Sequence, residues 1–186
     1  AGTVSGTQAL VGPIMQFRVG RDVSDSSRIP EEFRPRPRWV SHAPSIPDMT
    51  WVFAQGVDGA GRSAWTINGQ TFDPERVDAE VELDSIETWE LINTSNVSHL
   101  VHVHGVPFAV LGRNGSSPPL WEEGLEDTVM LDPRDHVTIA ARFPDYAGTF
   151  LIHCHMLEHE DHGMMAQFEV IRSNVDAYAP TRAGGR

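Results

Sequence analysis

Short segments rich in Val, Ile, Thr and aromatic residues follow one another through most of this 186-residue chain, and Gly, Pro, Asn and Asp separate them. The first group of residues suits the pleated, half-buried surface of a β-strand, and the second is typical of tight turns. Such a succession of strands predicts an all-β fold with two packed sheets. The predicted strands are Trp51–Gln55, Ser63–Ile67, Glu80–Ile92, Leu100–Leu111, Thr128–Leu131, His136–Phe143, Thr149–Cys154 and Met165–Ile171, and one short helix is expected at His155–Asp161.

The N-terminal part of the chain differs from the strand-rich part and predicts a division into domains. Residues 14–19 alternate apolar and polar side chains as a strand does, whereas residues 21–48 are rich in Pro, Ser and Arg, which is typical of a linker. Because an isolated strand is unstable, we expect residues 1–20 to contain the last strand of a preceding domain of a larger protein. The main domain is predicted at residues 49–172, followed by a polar tail at 173–186.

Charge and hydropathy argue against two classes of function. The formal net charge is −12, whereas a nucleic-acid-binding protein needs a basic face. No apolar run approaches the roughly 20 residues of a membrane-spanning helix, and residues 1–20 lack the basic start and apolar core of an export signal. We therefore expect no nucleic-acid partner and no membrane span. The single cysteine, Cys154, excludes an internal disulfide.

The histidines are distributed unevenly, since three of the nine lie in residues 99–104 and four in residues 153–162. Successive side chains of a β-strand point to opposite faces, so alternate histidines within each segment share a face. Two such strands side by side would carry four imidazoles on one face and the sulfur of Cys154 on the other. The four imidazoles belong to His102, His104, His153 and His155. This alternation predicts two different metal sites, back to back.

The face that carries Cys154 has further candidate ligands. His99 precedes the first of the two predicted strands, and His159 and Met164 lie five and ten residues after Cys154. Two imidazoles, a thiolate and a thioether form the ligand set of a blue copper site, in which the methionine is a weak axial ligand. The four imidazoles on the opposite face, with no carboxylate among them, favour copper or zinc over magnesium or calcium.

These two histidine segments resemble those of the multicopper oxidases. The resemblance rests on His99-Leu-Val-His102-Val-His104-Gly and His153-Cys154-His155-Met-Leu-Glu-His159-Glu-Asp-His-Gly-Met164-Met165, with support from Trp121 and Asp127-Thr128. It is greatest to bacterial three-domain members, namely spore-coat laccases, bilirubin oxidases and copper-efflux oxidases, and residues 14–19 resemble the last strand of their middle domain. The resemblance implies that residues 49–172 form a C-terminal cupredoxin domain, a Greek-key β-sandwich.

The resemblance also implies a role for each candidate ligand. The matches to type-1 copper ligands are His99, Cys154, His159 and Met164. His102 matches a type-2 ligand, and the matches to the binuclear type-3 ligands are His104, His153 and His155. Electrons would enter near His159 or His99 and cross through Cys154 to a trinuclear centre that reduces dioxygen, while Glu160 matches an acidic position that supplies protons. This chain would supply half of the trinuclear histidines, so the expected partner is an N-terminal portion of the same oxidase.

The loop before the first of these histidines bears on the reducing substrate. Copper-efflux oxidases hold cuprous ions with a Met-rich insertion and with methionine and acidic residues near the first type-1 histidine. Residues 93–98, which precede His99, contain neither methionine nor a carboxylate. A small organic reductant, such as a phenol, an aromatic amine or a bilirubin-like pigment, is therefore expected. The resemblance further implies an exported protein, either periplasmic, secreted or at the cell surface.

Three alternatives compete with this interpretation. A trimeric two-domain laccase would build its trinuclear centre between subunits, but the N-terminal strand and linker argue against it. A non-catalytic cupredoxin that transfers electrons or carries copper would leave the four clustered imidazoles without a purpose. In the copper nitrite reductases the type-1 cysteine is not flanked by histidines on both sides. Ordinary surface positions are expected for the remaining histidines, His42, His136 and His162.

Overall fold

The computed structural model of the chain describes residues 15–29, residue 31 and residues 34–173. The chain divides into two compact units between Arg34 and Pro35. All the helices and strands of the described residues lie in the second unit. None of these helices is long and apolar enough to cross a membrane.

The described part of the first unit contains no regular secondary structure. The residues predicted as a strand expose the side chains of Met15, Phe17 and Val19 and pair with no other described residue. The sequence predicts that these residues complete a sheet of a preceding domain, and this stays a prediction. Its first residue, Ile14, lies outside the described residues, as does the predicted tail from residue 174 onward.

Eleven strands form two sheets in the described part of the second unit. In chain order they are β1 (Met49–Val57), β2 (Ser63–Ile67), β3 (Ala79–Glu82), β4 (Ile86–Asn93), β5 (His99–Val103), β6 (Phe108–Arg113), β7 (Leu125–Glu126), β8 (Thr128–Leu131), β9 (His136–Arg142), β10 (Gly148–Cys154) and β11 (Met165–Ile171). The six-stranded sheet has the order β2-β1-β4-β9-β6-β7, and the five-stranded sheet has the order β3-β11-β10-β5-β8. The chain crosses repeatedly between the sheets, which confirms the predicted all-β Greek-key sandwich.

Aromatic side chains fix the two sheets against each other. Trp89 of the six-stranded sheet meets Phe168 of the five-stranded sheet edge to face, with 5.3 Å between ring centroids. Trp51 packs on Trp89 from the neighbouring strand, with 5.8 Å between ring centroids. Edge-to-face contacts of this kind are favourable in addition to the burial of the rings. These contacts fix β11, the strand that pairs with β10, against the six-stranded sheet.

Two of the predicted strands are each divided into two in the structure. Predicted strand 80–92 becomes β3 and β4 on either side of Asp84, whose φ is 69°, and predicted strand 100–111 becomes β5 and β6 around Gly105, whose φ is 86°. A positive φ ends the extended conformation. At both places the chain leaves the five-stranded sheet for the six-stranded one. Strand-forming composition alone does not indicate this change of sheet.

Helical structure is brief and lies partly where the sequence predicts it. The α-helix α1 (Leu157–Glu160) falls within the predicted segment at His155–Asp161. The described residues also form two 3₁₀ helices, Arg38–His42 and Leu120–Glu122, which the sequence does not predict. Both are short and have no buried residue, so neither has the apolar periodicity by which sequence reasoning detects a helix.

Part of the predicted linker is bound to the domain. The hydroxyl of Thr88 donates a hydrogen bond to the carbonyl oxygen of Pro44 at 2.8 Å. The guanidinium group of Arg36 donates to two backbone carbonyl oxygens of the turn at residues 122–123. The compact unit therefore extends further towards the N-terminus than the predicted boundary at residue 49.

Gly105, directly after His104, is a position where only glycine fits. Its φ is in the left-handed region, and a Cβ atom there would lie 2.7 Å from the ring of Phe150. We expect Gly105→Ala to lower the free energy of unfolding by about 1–3 kcal/mol, because backbone strain and a forced contact coincide. Gly59→Ala is the control, since its Cβ would meet nothing within 4 Å. Urea denaturation measures both effects, and equal unfolding midpoints for the two variants would contradict the expectation.

Candidate metal centres

The pairing of β5 with β10 places the two histidine segments side by side. The strands are antiparallel, with His102 directly opposite His153 and Val101 directly opposite Cys154. Opposite residues in such a pair share a face of the sheet. His99, Val101 and Cys154 are buried within the sandwich, whereas His102 is partly exposed on the outer face. The two groups of side chains therefore lie on opposite faces of one sheet, as the alternation predicts.

The first group, here called the interior cluster, consists of His99, Cys154 and His159. The Nδ1 atoms of the two imidazoles lie 3.1 Å apart. The sulfur of Cys154 lies 3.7 Å from Nδ1 of His99 and 3.5 Å from Nδ1 of His159. All three side chains are buried, and their ligand atoms lie within 4.8 Å of one another. His159 comes from α1, which follows β10 after a two-residue connection, and His99 is the first residue of β5. A metal ion can be held by these three atoms together.

Met164 is attached to the interior cluster through its backbone. Its N–H donates to the carbonyl oxygen of His159 at 3.0 Å, and its own carbonyl oxygen accepts from the N–H of Cys154 at 3.1 Å. The Met164 side chain is fully buried. The next residue, Met165, pairs with His153 and so lies on the outer face of the sheet. Of the two adjacent methionines, Met164 is therefore the one on the side of Cys154.

Burial keeps the interior cluster uncharged. It lowers the pKa of His99 to about 4, with a smaller contribution from the neighbouring charge of His159. Burial also lowers the pKa of His159 and raises the pKa of the Cys154 thiol. Both imidazoles are thus neutral near pH 7, as metal ligation requires, whereas the thiol must release its proton to a bound metal.

Two side chains that the sequence analysis missed contact this cluster. The indole of Trp65, on β2, lies over the ring of His159, with 4.1 Å between ring centroids and an angle of 36°. The hydroxyl oxygen of Ser95 lies 2.9 Å from Nε2 of His99. Neither residue is a usual metal ligand, and Trp65 is far from the histidine segments in sequence. In the sequence, the only indication of such a contact is that Ser95 lies four residues before His99.

The second group, here called the outer patch, contains the four remaining predicted ligands. Nε2 of His104 lies 3.0 Å from Nε2 of His153, and the ring of His102 lies 4.8 Å from that of His104 by centroids. These three residues offer ligand atoms within 4.8 Å of one another. His155 is exposed at the edge of the patch, with its ring centroid 5.6 Å from that of His153. The fold thus brings all four imidazoles together.

Hydrogen bonds orient two rings of the outer patch. Nδ1 of His102 lies 2.8 Å from the carbonyl oxygen of Asp127, and Nδ1 of His153 lies 3.1 Å from the carbonyl oxygen of Cys154. Because a carbonyl oxygen only accepts, each Nδ1 is the donor and each Nε2 is left as a potential ligand. Burial lowers the pKa of His153 and also that of His104, which favours the neutral imidazoles that bind metals.

Glu160 borders the outer patch at the end of α1. Its Oε2 lies 3.6 Å from Nδ1 of His153, and its side chain is 30% exposed. The carboxylate therefore contacts both solvent and a residue of the patch.

The three histidines predicted as surface residues belong to neither group. His42 and His162 are exposed, and His136 is partly exposed with its Nε2 3.1 Å from Oε1 of Glu90.

The low pKa of His99 predicts stability that is lost in acid. The unfolded chain keeps the ordinary value of 6.5 whereas the folded chain has about 4, so the unfolded chain binds more protons between these values. The free energy of unfolding of the metal-free protein should therefore decrease as the pH falls through this window, with His99 alone contributing up to about 3 kcal/mol. Urea denaturation at a series of pH values measures the decrease. His99→Gln should reduce the pH dependence and His42→Gln should not, and the same dependence in both variants would refute the assignment.

Known proteins are similar to this chain in sequence and fold. A profile of the multicopper oxidase family matches residues 44–174. A laccase of Haloferax volcanii is 37% identical over 179 residues, which cover 91% of this chain and 31% of the laccase. A bilirubin oxidase of Albifimbria verrucaria is 37% identical over 164 residues, which cover 83% of this chain and 27% of that protein. The crystal structure of a multi-copper oxidase from Pediococcus acidilactici superposes with a TM-score of 0.63 and 32% identity, over 71% of this chain and 28% of that one.

The chain spans between 27% and 31% of the length of the three relatives. Within that span the profile includes both histidine segments, and the structural match confirms the predicted cupredoxin-like sandwich. The chain belongs to the multicopper oxidase family.

Proposed function

We propose that this chain is the part of a copper-dependent oxidase that receives single electrons from a reducing substrate and holds half of the site that reduces dioxygen to water. One observation carries the proposal. Cys154 belongs to the interior cluster, while its neighbours on either side in sequence, His153 and His155, belong to the outer patch. The backbone at the end of β10 therefore joins the two groups by a covalent path of a few bonds. Such a path suits a protein in which electrons enter at one group and are used at the other.

The residues present fit copper at both positions. The interior cluster combines a thiol with two neutral imidazoles and has no carboxylate, and such soft ligands, with a nearby methionine, favour a blue copper site. In the outer patch, imidazoles with Nε2 available suit copper as well. When bound, copper supplies one-electron chemistry at the interior cluster and dioxygen reduction at the outer patch.

We assign each ligand as its position in the family pattern indicates. The type-1 site would be held by His99, Cys154, His159 and Met164. In the shared trinuclear centre His102 would be a type-2 ligand, and the type-3 ligands would be His104, His153 and His155. The separate faces of β5 and β10 support this division, because no side chain can reach from one face of the sheet to the other.

The fold excludes water from the interior cluster. His99 and Cys154 are fully buried and His159 is 6% exposed. The Trp65 indole covers the His159 ring. A dry site fixes ligand geometry and lowers the local dielectric constant, both of which influence a reduction potential. His159 and Trp65 form the side of the cluster at which we propose that electrons enter.

Glu160 is proposed to deliver protons to the outer patch. Reduction of dioxygen to water consumes protons, and these must come from solvent. The carboxylate of Glu160 is part exposed, and its Oε2 is 3.6 Å from His153. A carboxyl group placed between solvent and a strongly charged metal site is suited to proton transfer.

The remaining ligands are proposed to come from an N-terminal portion of the same oxidase. The outer patch faces away from the core, and His155 is exposed at its edge. Residues from another domain can therefore approach the open side of the patch. The relatives, which are more than three times as long as the matched segments, support such an arrangement.

The reducing substrate is proposed to be a small organic molecule. The loop at residues 93–98 has no methionine or carboxylate to hold a cuprous ion. The relatives named as a laccase and a bilirubin oxidase are consistent with phenols, aromatic amines or bilirubin-like pigments. A role as a mere electron carrier is disfavoured, since it would give the outer patch no purpose. Export from the cytoplasm, as expected for the family, is part of the same proposal.

Replacing the sulfur ligand tests the proposal. We expect Cys154→Ser in the full-length oxidase to abolish both the intense visible absorption and the oxidation of a phenolic substrate, because a hydroxyl is a poor ligand for copper at such a site. Circular dichroism should show the same β-structure as before the substitution. The control is His42→Ala, which alters an exposed histidine of neither group. Visible absorption that survives Cys154→Ser would refute the type-1 assignment.

A further inference from the structure

A chain of hydrogen bonds reaches His99 from the loop between β4 and β5. The hydroxyl oxygen of Ser95 lies 2.9 Å from Nε2 of His99, 2.8 Å from Oδ1 of Asn93 and 3.1 Å from the carbonyl oxygen of Val97. Asn93, Ser95 and His99 are all buried. These contacts engage the imidazole nitrogen that is not part of the interior cluster, because Nδ1 is the atom near Cys154.

The orientation of the Asn93 amide is determined by its surroundings. Its nitrogen, Nδ2, lies 2.8 Å, 3.2 Å and 3.0 Å from the carbonyl oxygens of Val97, Leu131 and Asp132. Carbonyl oxygens only accept hydrogen bonds, so the amide NH₂ must be on that side. Oδ1 is therefore the atom facing Ser95, and it also accepts a hydrogen bond from the Ser95 N–H at 2.8 Å.

The direction of the contact with His99 follows from this arrangement. The Ser95 hydroxyl has a single hydrogen, and its two oxygen neighbours, on Asn93 and Val97, are both acceptors. If that hydrogen pointed to His99 instead, two oxygens would face the hydroxyl oxygen with no hydrogen between them. The hydroxyl therefore donates to an oxygen and accepts from the imidazole. Nε2 of His99 is accordingly protonated, and Nδ1 presents its lone pair to the interior cluster.

We propose that Ser95, held in place by Asn93, is a positioning residue that fixes the ring orientation and the tautomer of His99. The inference rests on the proposed metal site of the interior cluster. Without the hydroxyl, the buried Nε2–H loses its acceptor, and the ring is free to turn or to move its proton to Nδ1. A protonated Nδ1 cannot bind a metal. Hydrogen-bonded partners of this kind, behind a ligating histidine, typically change metal affinity 10- to 100-fold when removed.

The hydrogen bonds of Asn93 also connect the loop that carries Ser95 to both sheets. Asn93 is the last residue of β4, in the six-stranded sheet, whereas Leu131 and His99 begin or end strands of the five-stranded sheet. The Asn93 side chain therefore ties the two sheets together at the end of the sandwich where the cluster lies. Outside the network, Arg134 donates hydrogen bonds to the backbone of Thr94 and the side chain of Asn96. The loop is thus held from both sides.

The test compares Ser95→Ala with Ser95→Thr, which restores a hydroxyl. In the metal-free protein, side-chain ¹⁵N spectra should show His99 as a single tautomer protonated at Nε2, and Ser95→Ala should yield a mixture of tautomers. Competition with a chelator should show copper affinity lowered 10- to 100-fold in Ser95→Ala, with a shifted visible absorption. Ser95→Thr should recover most of the affinity. The control is Ser98→Ala, because the Ser98 hydroxyl contacts Oδ1 of Asp132 rather than His99.

The outcomes separate this inference from the proposed function. A copper affinity of Ser95→Ala within twofold of the unchanged protein overturns the positioning role, whatever the tautomer. An equal loss in Ser98→Ala also overturns it, since the effect would then belong to loop packing. If the unchanged protein binds no copper at Cys154, the proposed function fails by itself. The ¹⁵N spectra still report on the tautomer in that case, and a single Nε2-protonated form in Ser95→Ala refutes the inference.

Discussion

The antiparallel pairing of β5 with β10 is the interaction on which both candidate metal groups depend. Because His102 lies directly opposite His153, the histidines of two segments about fifty residues apart in sequence meet on one face. The same register brings Cys154 next to Val101 and within 3.7 Å of Nδ1 of His99 on the other face. A shift of the register by one residue would move the side chains of the shifted strand to the wrong face and so separate the members of both groups.

The two faces of the sheet place the two groups in different environments. The interior cluster is enclosed by the core, so its imidazoles are neutral, and its side chains are in contact with Trp65 and Ser95. The outer patch lies at the surface of the sheet, where His155 is exposed and Glu160 contacts solvent. A buried site suits electron transfer, which needs little rearrangement, and an accessible one suits chemistry with dioxygen and protons. The backbone of β10 joins them without a further connecting group.

Much of this arrangement was predictable because it depends on local periodicity. The alternation of side chains along a strand is enough to assign Cys154 and His153 to opposite faces, and the two-sheet fold follows from the strand-forming composition. The change of sheet at Gly105 was missed, because a backbone turn between two apolar strands leaves little trace in composition. Trp65 and Ser95 were missed for another reason. Their importance depends on contacts that form only in the folded structure, namely the Trp65 ring over His159 and the Ser95 hydroxyl beside His99.

Diffraction at the copper edge tests most directly whether the two faces of one sheet carry two separate copper groups. An anomalous difference map from crystals of the copper-loaded, full-length oxidase should show one peak beside Cys154, between His99 and His159. It should also show a separate cluster of peaks on the outer face near His102, His104, His153 and His155. Peaks of this kind would locate the histidines of the N-terminal portion as well. A map without a peak at Cys154, or with none on the outer face, would contradict the account.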